Sequence, residues 1–222
     1  MKLAIKGLFF LSLIAADDGM FRINSSNLKE TIYSSSMWLS SSPAINPIGN
    51  NRLIFQAGIS LIKIQDYQEL LIYPMLDTGL KITKNLSITC KTYGFKSGKD
   101  SPQVLGGGVQ YYFGQNDTLN WSFSIQRSDL NGLKHYRLKT ITAAFRKWIS
   151  LKNINMRIGI GSNTFKERSY LEEYDIPNTL EGQTNFIAIN MLTPISKFII
   201  GVELYIGTKI TNTSIFLQKE IF

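Results

Sequence analysis

The chain carries a single histidine, His135, in the run Leu133-Lys134-His135-Tyr136-Arg137. A histidine acting as general base needs a hydroxyl or thiol within hydrogen-bond reach. The residue two positions on is Arg137, and the nearby acid Asp129 has no second carboxylate beside it. His135 therefore reads as a solvated loop residue, and the chain as no enzyme. Glu172, Glu173 and Asp175 are hard oxygen donors that suit a divalent cation. Their spacing matches no known cage, so an acidic turn is the reading, with no metal and no cofactor expected. The one cysteine, Cys90, excludes an internal disulfide and reads as a small apolar filler. That leaves Lys81, Lys91, Arg157 and Glu203, which fall on the polar face of their segments and are expected, with Tyr205, to point into an enclosed interior. Charges there must be paired or hydrated; a link from Arg157 to Glu203 would knit the wall, with ion selection in a pore as the alternative.

What encloses that interior is written in the hydropathy pattern. In Leu119-Asn120-Trp121-Ser122-Phe123-Ser124-Ile125-Gln126 every second residue is apolar, a period of two that belongs to a strand with one apolar face and not to a helix. The pattern recurs in Leu53 to Leu61, Ile154 to Ile160 and Ile200 to Ile206. Turns and longer polar loops broadly alternate between the repeats. Such a series specifies an all-β, up-and-down antiparallel barrel of roughly ten strands, within a range of about eight to twelve. Pro74 makes the second strand the weakest, because proline gives no ladder donor.

Alternation does not say which face is outside, since a soluble barrel turns its apolar face inward and a membrane barrel outward. The polar face is rich in Gly, Ser, Asn and Gln, not the Lys and Glu of a soluble surface. Aromatics collect near strand ends, at Tyr111, Phe113, Trp148 and Phe222, as interfacial girdles do. The reading is a transmembrane β-barrel with a narrow hydrated lumen. Phe55, Ile59, Trp121, Phe123, Ile125, Ile158, Val202 and Leu204 are the expected lipid-facing set. No long apolar run follows the N-terminus, so no membrane helix is expected. Lys and Arg number 24 against 16 Asp and Glu; without a basic stripe interleaved with aromatics, this excess points to anionic headgroups and not to nucleic acid.

The first residues read as an export signal: Lys2 and Lys6, the apolar run Leu8 to Ile14, then Ala15-Ala16, with cleavage expected after Ala16. Residues 17–51, rich in Ser and Asn, form a periplasmic arm or a lumen plug, with a strand around Thr31 to Leu39 as the competing reading. The barrel occupies 52–222.

Gly106-Gly107-Gly108-Val109-Gln110-Tyr111-Tyr112-Phe113-Gly114, a glycine-opened strand ending in aromatics, and the terminal Phe222 give the chain a resemblance to the small outer-membrane β-barrel proteins of diderm bacteria. The resemblance implies a place in the bacterial outer membrane and makes Phe222 the signal read by the barrel-insertion machinery. Stepping back by two from Phe222 meets Glu220 and Gln218 before Phe216, so the outward face of the closing strand is not cleanly apolar. Barrel-embedded lipid A deacylases resemble one another in a His followed two residues on by Ser or Thr; Arg137 occupies that place here. Omptin-like proteases need paired acids and an Asp-His couple, and no second acidic pair is evident. Two functions follow: a structural or passive small-solute barrel, or a surface-interaction barrel acting through the long connection Thr164 to Gln183, where Phe165, Lys166, Arg168, Tyr170 and Tyr174 offer a contact surface, with a barrel-embedded lipid-modifying enzyme a distant third.

Overall fold

The computed structural model describes residue 21 and residues 28–65, 70–114, 118–152, 154–170 and 177–221. The export signal, the insertion residue Phe222, and Glu172, Glu173, Tyr174 and Asp175 lie outside them. Ten strands follow one another: β1 (Leu53–Ile64), β2 (Leu70–Lys81), β3 (Leu86–Gly94), β4 (Gln103–Phe113), β5 (Trp121–Asn131), β6 (Tyr136–Leu151), β7 (Ile154–Ser169), β8 (Thr179–Ile195), β9 (Phe198–Gly207) and β10 (Ile210–Ile221). Each pairs antiparallel with its neighbours in sequence, and β10 pairs with β1 from Leu53↔Ile221 to Ile64↔Ile210, so the sheet closes.

The period of two sorts side chains across this wall. On β5, Phe123 and Ile125 are exposed while Ser122, Ser124 and Gln126 are buried. On β10 the apolar outward residues are Ile215, Leu217 and Ile221; Phe216 and Gln218 point inward, so the parity counted back from Phe222 runs along the inner face. Near the short-turn ends of β4 to β6, Tyr111, Phe113, Phe145 and Trp121 form a row of ring contacts on the outer wall, and the Lys147 ammonium lies 5.2 Å from the Trp121 ring centroid. Trp148 is no part of that girdle: it sits within β6, is buried, and faces inward.

The long connection is much shorter than its sequence suggests. β7 continues to Ser169 and β8 begins at Thr179, and their ladder runs unbroken from Asn155↔Leu192 to Arg168↔Thr179. Thr164, Lys166 and Arg168 are exposed and Phe165 and Glu167 buried. The alternation persists with its polarity reversed, charged residues out and an aromatic in, so a rule that seeks apolar residues on the outer face reads it as loop. Pro74 leaves a different mark. β2 runs through it, but β2 pairs with β3 only from Thr78↔Cys90 to Lys81↔Ser87, and beyond that seam the Pro74 carbonyl accepts from Trp38 Nε1 at 2.7 Å and Tyr93 OH at 3.2 Å.

Trp38 belongs to the helix α1 (Leu28–Leu39), which lies inside the barrel. Residues 31–39 are thus helical and not a strand. The first turn of α1 borders a cleft with Ile64, Thr184, Lys209 and Ile210 at the longer-loop mouth, whereas Pro47 to Asn50 border Lys81 to Lys84 at the short-turn mouth. The segment therefore traverses the whole lumen before the chain enters β1. Side chains of the segment and the wall pack across the interior: Ser34 and Ser35 meet the hydroxyls of Tyr73 and Tyr136 at 3.1 and 3.0 Å, and Trp38 stacks on Tyr73 at 4.8 Å. Gly79 supplies close approach, since a Cβ there would come within 2.5 Å of Ile45 Cδ1.

The apolar belt predicts a depth-dependent response to charge. Ile158→Arg should cost about 2–4 kcal/mol in lipid vesicles, against about 0–1 kcal/mol for Thr211→Arg at the loop end of β10. Equal losses in a urea-unfolding comparison would show that Ile158 does not face hydrocarbon.

Candidate functional site

Residues 40–46, Ser-Ser-Ser-Pro-Ala-Ile-Asn, leave α1 in no regular structure, and 40–45 are buried. A buried carbonyl must find a donor, and here neither a helix nor a ladder supplies one. The barrel wall does. Gln126 Nε2 donates to the carbonyls of Leu39 at 3.0 Å and Ser41 at 2.8 Å, and Lys91 Nζ to that of Ser41 at 3.1 Å. Arg157 reaches the carbonyls of Ser42 and Pro43, both at 3.3 Å, and Gln110 Nε2 reaches Pro43 at 3.0 Å. Gln218 Nε2 donates to Ala44 at 3.1 Å, Tyr112 OH to Ile45 at 3.3 Å, and Lys81 Nζ to Asn46 at 2.7 Å and to Gly49. In return the Ala44 amide donates to Gln56 Oε1 at 3.2 Å. Seven of the ten strands contribute to these bonds, and the clasp grips backbone more than side chains.

The cations among these donors are held by a second layer. Lys91 lies 3.2 Å from Asp77, and Arg157 lies 3.4 Å from Glu203, both pairs almost without solvent exposure. Asn190 bridges the second pair, accepting from Arg157 Nε at 3.3 Å and donating to Glu203. Arg146 donates to Tyr205 OH at 2.8 Å and to Ser42 Oγ at 2.9 Å. Lumenal carboxylates thus orient cations whose remaining donors face the threaded segment.

The structure places the expected residues as follows. Lys81, Lys91, Arg157, Glu203 and Tyr205 are all buried on the inner face and are brought together around residues 41–49. Phe55, Phe123, Ile125, Ile158 and Val202 are exposed outward, and Ile59, Trp121 and Leu204 are half-exposed on the same face. The supposed loop surface is dispersed: Phe165 is buried against Tyr33 with ring centroids 4.8 Å apart, Lys166 and Arg168 sit on the outer face of β7, and Tyr170 is exposed just beyond it. His135 sits in the 132–135 connection, with its carbonyl accepting from the Tyr170 amide at 2.8 Å. Its neighbour Asp129 pairs with Arg127 and Arg137, and no metal-holding group of His, Cys, Asp or Glu occurs among the described residues.

Sequence reading missed Arg146, Gln110, Gln126, Gln218 and Asp77. All five point inward, but only Gln126 lies in a run recognised by its alternation, where parity was the available signal; Asp77 lies on the strand carrying Pro74, and Gln218 falls on the parity counted as outward from the chain end. Nothing in the local sequence shows that a peptide backbone would fill the space opposite.

A closed antiparallel barrel with an apolar outer belt is a membrane-spanning wall of the bacterial outer-membrane kind. No protein-family model matches the chain, and no curated protein does. Solved structures do match it. One is Ail, the attachment invasion locus protein of Yersinia pestis, at 14% identity, covering 77% of this chain and 95% of that one, with a TM-score of 0.30. Another is the KdgM porin, at 9% identity over 76% of this chain and 99% of that one, TM-score 0.42. A third is the translocator domain of the autotransporter NalP from Neisseria meningitidis, at 10% identity over 89% and 95%, TM-score 0.40.

The clasp predicts strong coupling between its layers. Arg157→Met leaves Glu203 buried without its cation and should cost about 3–5 kcal/mol. Arg157→Met combined with Glu203→Met should recover part of that loss in the same urea-unfolding assay. Additive losses would mean the two side chains do not act as a pair.

Proposed function

We propose that this protein is an outer-membrane barrel with a structural role, a passive small-solute pore held shut by its own residues 28–50. The observation that carries the reading is the run of backbone carbonyls from Leu39 to Gly49 taken up by donors of the wall. Leaving one buried carbonyl bare costs about 1–3 kcal/mol, so the segment does not leave without water or a ligand replacing it. The donors that remained would then line a hydrated passage. We place it in outer-membrane lipid beside lipopolysaccharide, exported by residues 1–16 and recognised by the barrel-insertion machinery through Phe222, with no catalytic role. The surface-interaction alternative keeps only the 170–178 connection with exposed Tyr170.

Planar-bilayer recording tests the shut pore. The full-length protein should be electrically silent, and a variant lacking residues 21–50 should conduct in discrete steps. A second variant, Gln110→Ala with Gln126→Ala, keeps the chain intact and should show brief openings. Steps of equal size and frequency from the full-length protein and both variants would overturn the proposal.

A further inference from the structure

At the loop-side ends of β6 and β7 the register sets like charges face to face on the outer wall. Lys139 stands opposite Lys166, and Arg137 opposite Arg168. All four point outward, and Arg127 on β5 adds a fifth cation to the same face. Two carboxylates answer them. Asp129 is shared between Arg127 at 3.3 Å and Arg137 at 3.8 Å, and Glu181 takes Lys166 at 2.6 Å. Lys139 faces Asp129 across the β5–β6 ladder but makes no ion pair with it, that carboxylate being taken by the two arginines, and among the described residues Arg168 pairs with no carboxylate. Like charges directly opposed across strands destabilise a sheet, and two successive rows of them call for an anion from outside the chain.

The wall below has the shape of an amphiphile. Toward the short-turn side the next rows are Ile141 with Thr164 and Gln183, then Ala143 with Ser162 and Asn185, then Phe145 with Ile160 and Ile187. Gln183 Nε2 donates to Ser162 Oγ and Asn185 Oδ1, both at 2.9 Å, which puts hydrogen-bonding groups directly under the cations. The small outward residues Ala143 and Ser162 then leave an outer groove of about 650 Å³, walled by Phe123, Phe145, Ile160, Ile187 and Ile206. Four residues of strand, about 13 Å, separate the Lys139 row from the Ala143 row. Charge, polar groups and apolar groove follow one another over that span.

We propose that this face of β5 to β8 binds one phosphorylated, acylated glycolipid of the outer leaflet. Its phosphate sits between Lys139 and Arg168, its sugar against Gln183 and Asn185, and an acyl chain in the groove over Ala143. The proposal rests on the outer-membrane reading and is separable from it. Refolded full-length protein in zwitterionic micelles is titrated with purified lipopolysaccharide, and the temperature at which the compact gel band converts to the unfolded one is recorded. A rise of several degrees is expected with lipopolysaccharide, and none with its dephosphorylated form or with inorganic phosphate alone.

The variant Lys139→Gln with Arg168→Gln should be at least as heat-resistant as the parent without lipid, because the opposed charges are relieved. Its apparent affinity for lipopolysaccharide should fall by about fivefold per cation removed. Ala143→Trp, which fills the groove, should also weaken binding while keeping the compact band. Equal gains in parent and charge variant, a full response to the dephosphorylated lipid or to phosphate alone, or cross-linking of two copies through this face would overturn the proposal. Absence of any compact band would instead count against the barrel reading itself.

Discussion

A peptide backbone buried in an enclosed space has to be hydrogen-bonded, and here it crosses the lumen with neither a helix nor a ladder of its own over residues 40–46. Most of the inner face follows from that requirement. Long donors with amide, ammonium or guanidinium heads stand where each carbonyl passes: Gln126 and Lys91 near Ser41, Arg157 and Gln110 at Pro43, Gln218 at Ala44, Lys81 at Asn46. The scale of the effect decides its importance. At about 1–3 kcal/mol for each bare carbonyl, a handful of them rivals the whole net stability of a typical domain, about 5–15 kcal/mol.

The buried charges take their meaning from the same constraint. In an open pore Lys91, Arg157 and Glu203 would be read as a selectivity ring. In this lumen Asp77 and Glu203 hold Lys91 and Arg157 at 3.2 and 3.4 Å, and the cations spend their other donors on Ser41, Ser42 and Pro43. Two buried ions gain little by pairing alone, because desolvation offsets the attraction. The carbonyls of the threaded segment add the further bonds that make burial tolerable. Wall and occupant are therefore electrostatically incomplete without each other.

The wall was legible from residue order because its signal is local: alternation at Trp121 to Gln126 and at Ile154 to Ile160 needs no knowledge of the rest of the chain. The site was legible only in part. Lys81, Lys91, Arg157, Glu203 and Tyr205 could be set on the inner face by parity, but what they touch lies more than a hundred residues away in the case of Arg157 and Pro43. The helix Leu28–Leu39 escaped for a related reason. Its serines face hydroxyls of Tyr73 and Tyr136 on separate strands, so it has no apolar stripe to announce it. Phe165 misled because above the membrane belt the outside is charged and the inside aromatic. The lipid rule inverts there without the strand ending.

The seam beside Pro74 shows that the occupant also completes the wall. Proline has no amide to give β3, and the β2–β3 ladder is confined to four pairs, Thr78↔Cys90 to Lys81↔Ser87. Open backbone groups at membrane depth are costly, because hydrocarbon offers no partner. Trp38 of the internal helix and Tyr93 of β3 both donate to the Pro74 carbonyl, and Phe21, Tyr73 and Phe95 pack around the indole. Each further contact of that helix with the wall adds to the same closure: Asn163 on Ser36 at 2.9 Å from β7, Tyr136 on Ser35 from β6. Emptying the lumen would thus loosen the weakest joint in the sheet as well as free a set of donors. Occupancy of the lumen and stability of the barrel are coupled, in part through one indole and one proline carbonyl.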